Sequence, residues 1–278
     1  MGILNVTPDS FSDGGHFLSP QTALDQALRM LDEGAHLLDL GGESTRPTST
    51  PITLEEEQSR VLPVLDAILH HRPTAILSVD TYHAATARRA IETGAEIVND
   101  VSGLLWDPTM AATISQLQCG AVLMHTRARP QDWPTLPPLP PEEILPLVLT
   151  GLRHSLALAH TAGIAPDQIV VDPGFGFGKL GLENYTLLAH LSDLHQLGLP
   201  LLSGISRKGF LSKTIAPFYE DPTNPGQPIP PEARATATQA ANVAAILAGA
   251  HILRVHDVRA TRESAAIADA ILAGRHTP

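Results

Sequence analysis

Short apolar runs, several rich in β-branched residues, recur at 2–6, 36–40, 75–79, 96–98, 121–124, 169–171, 200–202 and 251–255. Between them lie longer segments with apolar residues at i, i+3 and i+4: 20–33, 54–70, 82–93, 108–118, 142–161, 183–197, 232–248 and 259–273. The first pattern predicts buried strands and the second amphipathic helices. Their alternation predicts right-handed βαβ units and a parallel sheet. Eight units of about 35 residues favour a closed (β/α)8 barrel over an open doubly wound sheet. A Gly-Ala pair precedes four of the strands, at Gly34, Gly94, Gly120 and Gly249, and predicts a left-handed helix cap at each.

No segment divides the chain into two domains. The Pro-rich stretch 130–146 leads into a helical pattern and then into the strand Ile169-Val170-Val171, so it reads as a long βα loop. Segment 216–231 reads as a second long loop. Residues 1–278 are therefore expected to form a single barrel domain.

Composition narrows the function classes. A hydrophobic content of 43% supplies a large core. The formal charge of −11 argues against a nucleic-acid partner, which needs a basic face to displace counterions. The lone Cys119 excludes an intrachain disulfide and a cysteine zinc cage, which fits a reducing, cytoplasmic setting. No apolar run is long enough to span a membrane, and no signal-peptide pattern opens the chain.

In a barrel of this kind the active site lies at the C-terminal ends of the strands. Here those ends are polar nearly all the way round: Asn5, the run Asp39 to Arg46, Asp80, Asn99-Asp100, Met124-His125, Asp172, Ser206-Arg207-Lys208, and Arg254 with His256. A single polar strand end ordinarily caps the next helix. A whole rim of them converges on one cavity. The hydrogen-bonding groups Asp80, Asn99, Asp172 and Lys208, with the anion-binding groups Arg46, Arg254 and His256, suit a flat polar heterocycle carrying a phosphate tail.

The same residues carry a family resemblance. The run Met1 to Gly15 (MGILNVTPDSFSDGG) resembles the signature of dihydropteroate synthases. So do Gly41-Gly42-Glu43-Ser44-Thr45-Arg46-Pro47, the run Asp172 to Lys179, Ser206-Arg207-Lys208 and the run Arg254 to Val258. The resemblance implies a TIM-barrel enzyme of folate synthesis. Such an enzyme joins 6-hydroxymethyl-7,8-dihydropterin pyrophosphate to 4-aminobenzoate, with Mg²⁺, and is inhibited by sulfonamides. It also implies a homodimer, for which the small-residue helix 232–248 is the expected contact surface.

Residue by residue, the resemblance implies that Asp80, Asn99, Met124, Asp172 and Lys208 hold the pterin. Phe11, Thr45, Arg46, Pro47, Phe177 and Ser206 would serve the aminobenzoate side and its loops. Asn5, Thr45, Arg254 and His256 would serve the pyrophosphate, Asn5 would be the metal-associated position, and Asp80, Lys208, Arg254 and His256 would be the catalytic set. A pterin-dependent methyltransferase and a non-catalytic pterin-binding paralogue are the alternatives. The first needs no pyrophosphate site, and the second should have lost site residues.

Several patterns point elsewhere and fail on inspection. Gly176 to Gly181 fits G-x-G-x-x-G, but no acidic residue ends the next strand, so dinucleotide binding is not expected. His70-His71 reads as a helix-end pair favoured by the dipole. Trp106 and Trp133 read as packing residues. Two features depart from the family pattern: Thr48 follows Pro47 where Gly is usual, and Met1 already lies in the first strand. The second leads us to expect a barrel without the family's N-terminal hairpin.

Overall fold

The computed structural model describes residues 1–6, 20–44, 50–219 and 229–274. Six parallel strands run in chain order: β1 (Gly2–Asn5), β2 (Leu37–Gly41), β3 (Ile76–Asp80), β4 (Ile97–Asp100), β5 (Gly120–Met124) and β6 (Ile169–Asp172). Two further strands, β7 (Leu202–Ser203) and β8 (Ile252–Leu253), pair in parallel with each other. Single bridges join the two groups. Val171 pairs with Leu201 on one side and Gly2 with Val255 on the other. The Val171 N–H donates to the Pro200 carbonyl at 3.0 Å, and Ile3 N–H to the Val255 carbonyl at 2.9 Å. The sheet is therefore a closed parallel ring, the expected barrel.

Nine α-helices are present among the described residues: α1 (Pro20–Asp32), α2 (Leu54–His71), α3 (Ala84–Thr93), α4 (Met110–Leu117), α5 (Pro141–Ala162), α6 (Glu183–Ala189), α7 (Gly209–Ile215), α8 (Ala235–Leu247) and α9 (Val258–Gly274). The start of α2 shows how the sequence sets a boundary. Thr53 accepts the Glu56 N–H on its hydroxyl, and Glu55, Glu56 and Glu57 fill the positive end of the helix dipole. His70 and His71 close the same helix, as anticipated. α5 starts on Pro141, where the missing N–H costs nothing.

Strand alternation sorts the core. Leu38 and Leu40, Leu77 and Val79, Val98, Leu123 and Val171 face outward and join the helices in one continuous hydrophobic cluster. The residues between them face the barrel interior. Asp39 stands beside Ser78 there, and Gly41, Asp80 and Asn99 follow one layer higher.

Four local expectations need correction. The predicted helix 183–197 leaves α-helical geometry at His190 and continues as a 3₁₀ segment, Leu191–Leu197. The strand expected at 251–255 is regular only over β8, because the Leu201 carbonyl accepts from both His251 and Ile252 and breaks the ladder. Gly34, Gly94 and Gly249 do take positive φ, but Gly120 is the first residue of β5. Gln118 takes the left-handed position after α4 instead, with its side-chain amide donating to the Ser115 carbonyl. Finally, α7 was not anticipated.

Candidate active site

The strand register builds a single layer at the C-terminal rim. Asn5 pairs with Gly41, Gly41 with Asp80, and Asp80 with Asn99. Gly41 lies between the two side chains: a Cβ there would make ordinary contact with the Asp80 side chain at 3.5 Å and the Asn5 amide oxygen at 3.6 Å. Further round, Met124 pairs with Asp172.

Asp39 holds this layer from below. It is fully buried. One carboxylate oxygen accepts the Ser78 hydroxyl at 2.6 Å. The other accepts the Asn99 amide at 2.9 Å and Arg254 Nε at 2.6 Å. Arg254 then reaches up and donates through Nη2 to Asp80 at 2.6 Å. Ser78, Asp39, Asn99, Arg254 and Asp80 thus form a connected network, in which a charged guanidinium is shared by two carboxylates.

The network sets the local ionisation. Burial pushes the Asp80 carboxyl up to about 7, against the pull of Arg254 and with the help of Asp39. Burial opposes the Arg254 charge, but the two carboxylates outweigh it and hold the guanidinium protonated.

Asp172, at the end of β6, is buried. Its carboxylate accepts the Gly174 N–H at 2.7 Å. Burial raises its pKa, opposed by that hydrogen bond and by Lys208. Lys208 follows Arg207, whose positive φ turns the chain into α7. The lysine stem packs against Gly176, and its ammonium lies 3.9 Å from the centre of the Phe177 ring. Burial and Arg254 lower this lysine to about 8, while Asp172 and Asp80 pull it back up. Trp133 supports Phe177 edge-on at 5.2 Å, which fits its reading as a packing residue.

Ser206 and His256 meet on the far side. The Ser206 hydroxyl and His256 Nδ1 are 2.9 Å apart, and the His256 N–H donates to the same hydroxyl. Arg254 and His256 were paired as anion-binding groups in the sequence. The structure gives them different partners, carboxylates for the first and Ser206 for the second.

Ten of the site residues singled out from the sequence are described, and all stand at this rim: Asn5, Asp80, Asn99, Met124, Asp172, Phe177, Ser206, Lys208, Arg254 and His256. Phe11, Thr45, Arg46 and Pro47 lie outside the described residues.

Two groups were missed as individual residues. Asp39 carried a signal, since position 39 shares the inward face of β2 with Gly41. Lys179 is buried beneath the loop after β6, where its ammonium donates to the carbonyls of Gly174 at 2.8 Å and His125 at 3.1 Å. Burial lowers it to about 7. It ties β5 to β6 from within the loop, and no periodicity marks such a residue.

The sequence pattern of the pterin binding enzyme family matches residues 1–256. The dihydropteroate synthase of Synechocystis is 42% identical over 258 residues, spanning 93% of this chain and 84% of that protein. Among solved structures, the Yersinia pestis dihydropteroate synthase with a sulfonamide drug complex is 39% identical with a TM-score of 0.88, over 98% of this chain and 93% of that one. The Xanthomonas albilineans dihydropteroate synthase with 4-aminobenzoic acid is 38% identical with a TM-score of 0.86, over 100% and 93%. With the barrel, the polar rim and these relatives in agreement, the chain belongs to the dihydropteroate synthase family of pterin binding enzymes.

Proposed function

We infer that this chain condenses 6-hydroxymethyl-7,8-dihydropterin pyrophosphate with 4-aminobenzoate, giving 7,8-dihydropteroate and pyrophosphate, and that sulfonamides compete for the amine site. The observation that carries the reading is the gathering of Asp80, Asn99, Asp172 and Lys208 on one rim of the barrel. A pterin presents parallel N–H donors on its amino-pyrimidine edge. Buried carboxylates accept such donors in pairs, and an analogue lacking them leaves the acceptors unmatched.

In this reading Asp172 and Asn99 bind the pterin edge, Met124 packs on the ring and Lys208 reaches it from the other side. Asp80 orients the ring and stabilises positive character at the methylene carbon. The carbon–oxygen bond breaks and its electron pair leaves with the pyrophosphate. The amine lone pair then forms the carbon–nitrogen bond, and the amine proton passes to solvent. Arg254, fixed on Asp39 and Asp80, and His256, fixed on Ser206, keep positive and hydrogen-bonding groups near the leaving group. Phe11, Thr45, Arg46, Pro47, Phe177 and Ser206 serve the amine side and exclude water.

Mg²⁺ takes few protein oxygens and completes its shell with water and substrate phosphates. The Asn5 amide oxygen at the rim is a donor of that kind, so Asn5 with the pyrophosphate would hold the ion. When bound, it neutralises charge on the departing group.

A shared core supports a single domain over 1–278. No described helix is long and apolar enough to cross a membrane, and a cytoplasmic enzyme is our reading. α8 packs on α9, whose Ile267 and Ile271 are exposed one turn apart, and this face supports a homodimer.

The test is direct. Purified protein with the pterin pyrophosphate, labelled 4-aminobenzoate and Mg²⁺ should yield labelled pteroate and free pyrophosphate. Tight pterin binding with no product would overturn the synthase reading.

A further inference from the structure

A second cluster of ionisable side chains lies just past the C-terminal ends of β2 and β3, beside the rim network, with Glu57 near enough to act on the Asp80 charge. Glu43 follows β2, Glu57 sits in the first turns of α2, and His83 stands immediately before α3. One ligand atom from each lies within 4.8 Å of the others. Glu57 is fully buried. Its Oε2 is 3.0 Å from His83 Nδ1 and accepts the Thr86 hydroxyl at 2.5 Å. Glu43 is bonded to the Tyr82 hydroxyl and to the backbone at Ile52, yet its Oε2 is buried with no hydrogen-bond partner among the described residues. Burial raises the Glu43 pKa, opposed by the Tyr82 hydroxyl, and the neighbouring Glu57 adds to the rise.

We propose that Glu43, Glu57 and His83 form a binding site for a divalent transition-metal ion of the zinc class, which ties the start of the second βα loop to α2 and α3. Three features carry this. Two carboxylates and an imidazole converge from three separate elements. An imidazole with carboxylate oxygens suits zinc, manganese or cobalt better than magnesium, which prefers oxygen ligands alone. The spacing is also right. Two ligands about 2.1 Å from a tetrahedral ion stand about 3.4 Å apart. The contact of 3.0 Å between His83 and Glu57 needs to open by only a few tenths of an ångström.

Binding replaces the proton shared by His83 and Glu57 and gives Glu43 Oε2 the partner it lacks. It requires neutral imidazole, so it releases a proton and strengthens as pH rises. The hard-ion position at Asn5 belongs to a different strand and keeps its own chemistry. Glu43 leads directly into Ser44 and the segment 45–49.

The experiment uses the full chain, stripped with a chelator and held in excess Mg²⁺ without pterin. Zn²⁺ and Co²⁺ are titrated by calorimetry, and Co²⁺ by visible absorption. One tight equivalent is expected, with a cobalt spectrum showing nitrogen ligation. Glu43→Gln and His83→Ala should each weaken that equivalent by about tenfold or more. Glu43→Gln keeps an acceptor for Tyr82, so it tests the site even if the histidine variant folds poorly. Zinc affinity unchanged in Glu43→Gln, or binding that follows other histidines of the chain, would overturn the assignment.

Discussion

The site is governed by how few charges stand in a small, partly dehydrated space. Arg254 serves two carboxylates at 2.6 Å each, and Asp80 is still pushed up to about 7 because burial outweighs that pairing. Lys208 is pushed the other way, to about 8. If pterin binding needs Asp80 ionised and Lys208 protonated, kcat/KM rises as pH passes 7 and falls as it passes 8, giving a narrow bell that reports the free enzyme. Lys208→Arg should move the alkaline limb well upward, because a guanidinium stays charged. Steady-state rates between pH 5.5 and 10 check this, and an alkaline limb unmoved by the substitution would contradict it. The strand-end residues of this network were legible, since a polar side chain closing an apolar run is a visible break in pattern. Asp39 was not assigned a role, because its partner Arg254 lies 215 positions away and only barrel closure brings them together.

At the scale of elements, the pattern of strands and helices was legible wherever an amphipathic period had room to repeat. It failed where it had none. α7 has seven residues, fewer than two full turns beyond its caps, and went unassigned in the sequence. β7 and β8 were expected at 200–202 and 251–255 and are found there, but only two residues of each pair regularly and single bridges complete them. The loop after β6 depends on backbone conformation that no period encodes. Gly174 has φ +68°, and a Cβ there would stand 2.0 Å from the His125 carbonyl oxygen. That carbonyl and the Gly174 carbonyl are both acceptors for Lys179, while the Gly174 N–H holds Asp172. Gly174→Ala should therefore lower stability by about 2–4 kcal/mol, since backbone must move against backbone. It should also weaken pterin binding through Asp172. Gly181→Ala is the control. At φ +40° with nothing within 4 Å, it should cost about 1 kcal/mol. Urea denaturation of the pair settles the comparison, and equal losses would count against the packing argument.

For the whole molecule, net charge says little about acid stability, because the groups that matter are the ones folding removes from water. His125 is the clearest. It is packed against Gly151, where a Cβ would lie 2.4 Å from its ring, and sits near the charged side chains of Lys179 and Arg127. Burial, aided by those two charges, lowers it from 6.5 to about 2. The folded protein thus keeps this imidazole neutral between pH 2 and 6.5, while the unfolded chain takes up a proton. Stability contributed by His125 is complete above pH 6.5 and is lost as the pH falls below it, by about 2 kcal/mol at pH 5. Asp80 acts in the opposite sense. Its raised pKa makes the folded state bind more protons than the unfolded chain between 3.8 and 7, which favours folding as the pH falls. The two effects overlap, so the wild-type curve alone cannot separate them, and a difference measurement can. Unfolding free energies of the wild type and His125→Gln, compared at pH 7.5 and pH 5, should show the variant losing about 2 kcal/mol less than the wild type on acidification. Parallel curves for the two proteins would mean that His125 takes up its proton within the fold and is not the acid-sensitive point of the barrel.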